Sequence, residues 1–275
     1  MDDYLRALLL GAVQALTEFF PVSSSGHLIL APHVVGDEAS SLTFDVGLHV
    51  GTAVAVVGYF WRDWLRIVYE AVRDLTVHGR HVGRWTPRAQ LGIWLALASV
   101  PAAVAGYLLD ATIEENLREP WIVGVMLIAF GLVIWALDSW GGALGRLEQM
   151  TGGRALIVGV AQAVALVPGV SRSGVTIAAA RGLGFDRDSA ARFSFLLSAP
   201  VVLGAGGLKL AEAVSGDEAV EWGPLVAGAV VAGVLGVFVI RGLLAFLASH
   251  TLRAFVWYRI ALGLAVLGAS ATGTL

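Results

Sequence analysis

Apolar residues fill this chain in long blocks separated by short charged stretches, and two of the blocks are interrupted by serine, glycine and proline. Tyr4 to Phe20 is apolar with a helical period, carries Gln14 and Glu18 one turn apart on one face, and stops at Pro21. Ser23-Ser24-Ser25-Gly26 and the short apolar run Leu28 to Ala31 then predict a helix that enters, breaks and returns. Backbone broken at membrane depth survives only where protein or a water-filled cavity satisfies it, so such a break marks a site more often than a defect. Phe44 to Phe60 predicts a span, followed by a loop with Arg62, Arg66, Arg73, Arg80, Arg84 and Arg88. Leu91 to Leu109 predicts a second span, leading to an acidic loop with Asp110, Glu114, Glu115 and Glu119 beside Arg118. Trp121 to Leu137 predicts a third, followed by Arg146 and Arg154. Ala155 to Leu166 has 12 residues, against the ~20 of a spanning helix, and runs into Pro168-Gly169 and a loop centred on Arg172. Phe193 to Leu208, Leu225 to Ile240 and Phe255 to Leu275 predict three further spans.

The two interruptions align without a gap. Ser23, Ser24, Ser25 and Gly26 fall on Ser171, Arg172, Ser173 and Gly174, and the same offset (171 − 23 = 148) carries Gln14 onto Gln162. Lysine and arginine favour the cytoplasmic side, which puts the Arg62–Arg88 loop, Arg146, Arg154, Arg181, Arg187, Arg192, Arg241 and Arg253 inside. Asp37, Glu38, Glu212, Asp217, Glu218, Glu221 and the acidic N-terminus then lie outside. That assignment requires Ala155 to Gly182 to enter and leave by one face. The expected fold is therefore an all-α integral membrane protein with an inverted-topology repeat, each half one re-entrant helical hairpin plus three transmembrane helices. The halves, about 1–137 and 155–275, form one membrane domain joined by a cytoplasmic loop.

Composition fits that class: 57% of the 275 residues are hydrophobic and 14% charged, where soluble chains average about 25% charged. The absence of cysteine excludes disulfides, thiolate metal sites and cysteine nucleophiles. A net charge of −3, with arginines confined to short loops, argues against a nucleic-acid partner. Met1-Asp2-Asp3 is acidic where a signal peptide is basic, so no cleavable signal is expected.

If the two breaks meet, they gather Gln14, Glu18, Ser23, Ser24, Ser25 and His27 from one half and Ser171, Arg172, Ser173 and Thr176 from the other. The planar fork of arginine pairs two phosphate oxygens at once. Helices expected to start just after Gly26 and Gly174 would add backbone N–H groups and positive dipole ends. Histidine exchanges protons near neutral pH, and a serine beside it is a candidate nucleophile. Serines in membrane helices commonly just bond neighbouring helices. An intramembrane arginine costs about 3 kcal/mol or more and is functional by default, as is Glu18. No zinc-type spacing is present. A Mg2+ or Ca2+ ion bridging Glu18 to phosphate oxygens leaves little trace in a sequence, and Asp45 is a second candidate carboxylate.

Glu18-Phe19-Phe20-Pro21-Val22-Ser23-Ser24-Ser25-Gly26-His27 and Pro168-Gly169-Val170-Ser171-Arg172-Ser173-Gly174-Val175-Thr176 resemble the undecaprenyl-diphosphate phosphatases of the bacitracin-resistance (BacA/UppP) type. Phe44-Asp45-Val46-Gly47-Leu48, Phe60-Trp61-Arg62 and Ala191-Arg192-Phe193-Ser194-Phe195 look like further landmarks of that family, so the resemblance covers nearly the whole chain. It implies a multi-pass cell-membrane hydrolase that removes the terminal phosphate of a polyprenyl diphosphate, with its site open to the outer side. By position, Ser24 and His27 look like the catalytic hydroxyl and its proton partner, Arg172 the diphosphate clamp, and Ser171, Ser173 and Thr176 supporting donors. Gln14 departs from members with a second carboxylate at that position, which weakens schemes needing both. The rival expectation is a lipid flippase or other transporter, since broken helices in an inverted repeat serve transport equally.

Overall fold

A computed structural model describes residues 3–35, 42–142, 145–215 and 221–274; the expected outer residues Asp37, Glu38, Asp217 and Glu218 lie outside them. The described residues form eleven α-helices: α1 Asp3–Phe19, α2 Ser24–Val35, α3 Leu42–Tyr59, α4 Trp61–His78, α5 Pro87–Asn116, α6 Pro120–Trp140, α7 Gly152–Val164, α8 Arg172–Gly182, α9 Arg187–Ser215, α10 Trp222–Leu247 and α11 Arg253–Ala271. Five helices are long and apolar enough to cross a membrane, or six when α3 and α4, bent by 69° at Phe60, count as one span. The protein is thus an all-helical, multi-pass membrane protein.

Two expectations are corrected. The Arg62–Arg88 segment is mostly the helix α4. Its arginines alternate with Leu65, Val68, Val72 and Leu75, all exposed, so the segment is amphipathic and lacks only the uniform apolarity of a span. Its inner face is fixed by buried Asp74, which accepts from the Thr86 amide at 2.6 Å and the Thr86 hydroxyl at 2.8 Å. The acidic stretch after Leu109 likewise continues as helix to Asn116, because neither Glu114 nor Glu115 interrupts a backbone that has no glycine or proline there.

Helix pairing follows the offset found in the sequence. α1 packs along α10 and α7 along α5, while α3 touches both α9 and α10 and α6 lies on α11. The close approaches depend on glycine: a Cβ at Gly11 would collide with the carbonyl of Gly228, and one at Gly159, 148 positions later, with the carbonyl of Ala98. The main core is aromatic at its centre, with Phe19, Phe60, Phe193 and Phe195 all buried.

A buried polar knot fastens the far ends of α6 and α8. Asp138 accepts from Arg181 Nε at 2.9 Å, from Arg187 Nε at 2.8 Å and from the Leu252 amide at 3.1 Å. Arg181 spends its remaining donors on the carbonyls of Asp138, Gly141, Gly142 and Phe185. One carboxylate thereby joins α6, α8, α9 and the start of α11.

Candidate active site

The site is built by the two interruptions. α1 ends at Phe19 and α2 begins at Ser24; α7 ends at Val164 and α8 begins at Arg172. Both second helices thus start at the motif residues themselves, three positions earlier than the expected starts just after Gly26 and Gly174. The residue ahead of each, Ser23 or Ser171, has a positive φ of 78° or 74°, a conformation that costs a non-glycine residue about 1–3 kcal/mol. Serine is nonetheless used because its hydroxyl caps the helix: Ser23 Oγ accepts from Gly26 N at 3.4 Å and Ser171 Oγ from Gly174 N at 3.1 Å. The motif glycines are closely packed: a Cβ on Gly174 would lie 2.7 Å from Ile134 Cδ1 and one on Gly26 3.0 Å from Val123 Cγ1, so either would make a neighbouring side chain shift.

Arg259, fully buried on α11, locks the two breaks to each other. Its guanidinium donates to Pro21 O at 3.3 Å in the first break and to Gly169 O at 2.7 Å and Val170 O at 3.1 Å in the second. Further bonds reach Leu127 O and Met126 O on α6. An arginine here satisfies carbonyls that broken backbone would otherwise leave bare in a water-poor interior.

Glu18 is the hub. Arg172 Nη2 donates to its Oε1, while its Oε2 accepts from Ser24 Oγ at 2.6 Å and from Gln14 Nε2 at 3.2 Å. His49 Nε2 lies 3.5 Å from the same Oε2. Its Nδ1 is 2.8 Å from Asp45 O, and a carbonyl can only accept, so Nδ1 carries the proton and Nε2 is the basic nitrogen turned to Glu18. Glu18, Ser24, Arg172 and His49 line a cavity of about 330 Å3 together with Ser23, Ser25, Ser171 and Gln162. Apolar residues line it as well: Val46, Ala102, Val201, Val202 and Ala205. A second recess shares Ser25, Val46, His49 and Leu166 with it and reaches Asp45 and Arg118.

The expected residues divide into three groups. Glu18, Ser24 and Arg172 come together, as do Ser23, Ser25 and Ser171 on the cavity wall. Gln14, Ser173 and Thr176 stand behind it: Gln14 on Glu18, Ser173 on Phe20 O at 3.2 Å, and Thr176 on Arg172 O at 2.7 Å and Ser194 Oγ at 2.6 Å. The expected Ser24–His27 pair is not what the chain brings together. Ser24 turns to Glu18, and His27 binds Ser23 O through Nδ1 at 2.7 Å and the Tyr258 hydroxyl through Nε2 at 2.7 Å. The i to i+4 bond to Ser23 follows from helical spacing, and it points the ring away from Ser24.

Three residues escaped sequence reasoning. Arg259 carried the same signal as Arg172, an arginine inside an apolar block. Gln162 was visible as the counterpart of Gln14. His49 carried only the weak signal of a histidine inside an apolar block, weaker than that of His27, since only tertiary packing brings α3 against α1.

A family model for the bacitracin resistance protein BacA matches residues 7–265. Among curated relatives, the undecaprenyl-diphosphatase of Desulforudis audaxviator is 44% identical over 95% of this chain and 96% of its own length. The proteins of the same name from Geobacter sulfurreducens and Rubrobacter xylanophilus are each 45% identical, covering 96% and 95% of this chain and 97% and 96% of their own.

Proposed function

The chain belongs to the bacitracin resistance protein BacA family, and on that premise we infer that it hydrolyses the terminal phosphate of undecaprenyl diphosphate to leave the monophosphate. That reaction returns a lipid carrier to envelope glycan synthesis. The observation that carries the reading is the junction at Glu18: a serine hydroxyl from one break and a guanidinium from the other share one carboxylate in a cavity lined by both polar and apolar residues. The polar residues suit a diphosphate; Val46, Val201 and Val202 suit the first isoprene units.

Phosphoryl transfer needs charge neutralisation and in-line positioning above all. Arg172 supplies charge, and α2 and α8, which start at the cavity-lining residues Ser24 and Arg172, add the positive ends of their dipoles beside it. Ser24 Oγ attacks the terminal phosphorus, its proton passes to Glu18 Oε2, and the bond to the bridging oxygen breaks to release the lipid monophosphate. His49 Nε2 takes the proton from Glu18, which restores the counter-charge of Arg172. Water then attacks the phosphoserine and gives its proton to Glu18, while the P–Oγ bond breaks, Ser24 Oγ recovers the proton held by His49, and orthophosphate is released. Gln14 holds Glu18, Thr176 holds the Arg172 backbone, Ser173 ties the second break to Phe20 O, and His27 fixes the strained turn at Ser23.

A resident metal does not fit these residues. Glu18 has both oxygens committed, and among the described residues no group of three His, Asp or Glu side chains is placed to hold an ion. A divalent cation enters this reading only as the counter-ion of the diphosphate, held by phosphate oxygens, and no step runs through it.

Several features support the inverted repeat with two re-entrant hairpins, one per half. Ser23 and Ser171 share an unusual φ at equivalent positions, and α1–α10 and α5–α7 are equivalent packing pairs. The Arg172 break follows a 13-residue helix, too short to span.

The test is phosphate release from undecaprenyl diphosphate by protein purified in detergent. Wild type releases orthophosphate; Arg172→Ala lowers kcat/KM by about 10³-fold. Labelled phosphate is trapped on wild type and on Ser25→Ala but not on Ser24→Ala. A lipid flippase releases none, and silence of the wild type removes the phosphatase reading.

A further inference from the structure

Gln162 is the one polar residue on the cavity wall whose side-chain amide is left with nothing to bond. It is 2% exposed, and neither Nε2 nor Oε1 has a hydrogen-bond partner among the described residues. Buried amides of this kind are expensive, because the lost bonds to water are not replaced.

The repeat explains how the vacancy arises. Gln14 is the counterpart of Gln162 (162 − 14 = 148), and its Nε2 is used by Glu18 one turn along the same helix. The counterpart of Glu18 is Leu166 (18 + 148 = 166), an apolar residue that lines the same cavity. The second half therefore keeps the amide and drops the carboxylate that would occupy it. Gln162 belongs to the wall that also carries Arg172, Ser24 and Ser171, with both amide atoms covered at the cavity surface, so a turn of the side-chain end is what presents them to a ligand.

We propose that Gln162 is a substrate-binding residue whose amide N–H groups donate to a non-bridging oxygen of the diphosphate headgroup. Two donors on a neutral side chain suit an anionic oxygen beside Arg172 without adding a second buried charge. Glu18 and Gln162 then divide the task between the halves: the carboxylate handles the proton and the unpaired amide handles the phosphate. The proposal rests on the phosphatase reading for the identity of the ligand, but not for the existence of an anion subsite.

Two variants test it, each on the full-length protein in detergent. Gln162→Met keeps the volume and removes both polar atoms; Gln162→Glu keeps the size and an acceptor but replaces the amide N–H donor. With methylenediphosphonate, a diphosphate that cannot be cleaved, wild type binds and both variants bind at least tenfold more weakly by calorimetry. With farnesyl diphosphate as substrate, KM rises by a similar factor while kcat changes less than threefold. Gln162→Met melts at the same temperature as wild type or higher, since an unsatisfied amide has gone. A residue that merely bridges a structural water gives the reverse: a lower melting temperature with unchanged diphosphonate affinity and KM, and that result overturns the proposal. If Gln162→Met fails to fold, unchanged affinity in Gln162→Glu overturns it equally. Absence of methylenediphosphonate binding by wild type also defeats it, whereas binding without hydrolysis of any prenyl diphosphate leaves the subsite standing and defeats the phosphatase reading.

Discussion

Glu18 does three things at once: it neutralises Arg172, orients Ser24 and faces the basic nitrogen of His49. A carboxylate that pairs with a cation is a weak base, so passing its proton to a neighbour is what makes it useful in turnover. The prediction at this scale concerns His49. Replacing it with alanine lowers kcat by about 10²-fold, the typical worth of a positioned proton acceptor, leaves KM within about threefold, and is partly rescued by added imidazole. His27→Ala loses activity too, but through the turn at Ser23, and imidazole does not restore it. Steady-state kinetics with and without imidazole separate the two. Rescue of His27→Ala in place of His49→Ala would return the proton to the pair that sequence order suggests.

At the scale of elements, the helices are held at their ends by buried carboxylates. Asp138 is 4% exposed and meets two arginines and an amide. Asp138→Ala strands Arg181 in the interior and destabilises the protein by about 3–5 kcal/mol, the usual cost of breaking a buried pair from one side; unfolding in mixed detergent measures it. Asp74 has the same role for α4. Its bonds from the Thr86 amide and hydroxyl and from Arg73 hold its carboxyl well below the usual range, to about 2. A depressed folded pKa contributes stability that is present above the unfolded value of 3.8 and disappears as pH falls through about 2. Protease protection of the α4–α5 connection should therefore persist at pH 5 and weaken as the pH is lowered from about 4 to 2. Asp74→Asn is expected to be weaker at pH 7 and to lack that acid step.

Across the whole molecule, one half supplies Glu18 and Ser24, the other Arg172 and Gln162, and Arg259 holds the breaks together. Because the chain has no cysteine, single cysteines report topology cleanly. A cysteine at Asp3 is expected to react with a membrane-impermeant maleimide in intact cells, and one at Arg84 only after permeabilisation. Equal labelling of both in intact cells would invert or abolish the proposed arrangement of the halves.

The sequence by itself determined the helical membrane class, the order of most helices and the two interrupted motifs that meet at Glu18. Long apolar blocks, two glycine-broken serine motifs and charges out of place in lipid are local signals. It blurred α4, because an amphipathic helix dense in arginine reads as a loop when only apolarity is counted. Only the tertiary structure decided who touches whom. That Ser24 bonds Glu18 and not His27, that His49 from α3 completes the group, and that Gln162 is left unpaired all depend on helix packing, which no spacing along the chain encodes. A motif lists donors and acceptors; the pairing among them is settled when the helices close and each buried polar group must find a partner or wait for a ligand.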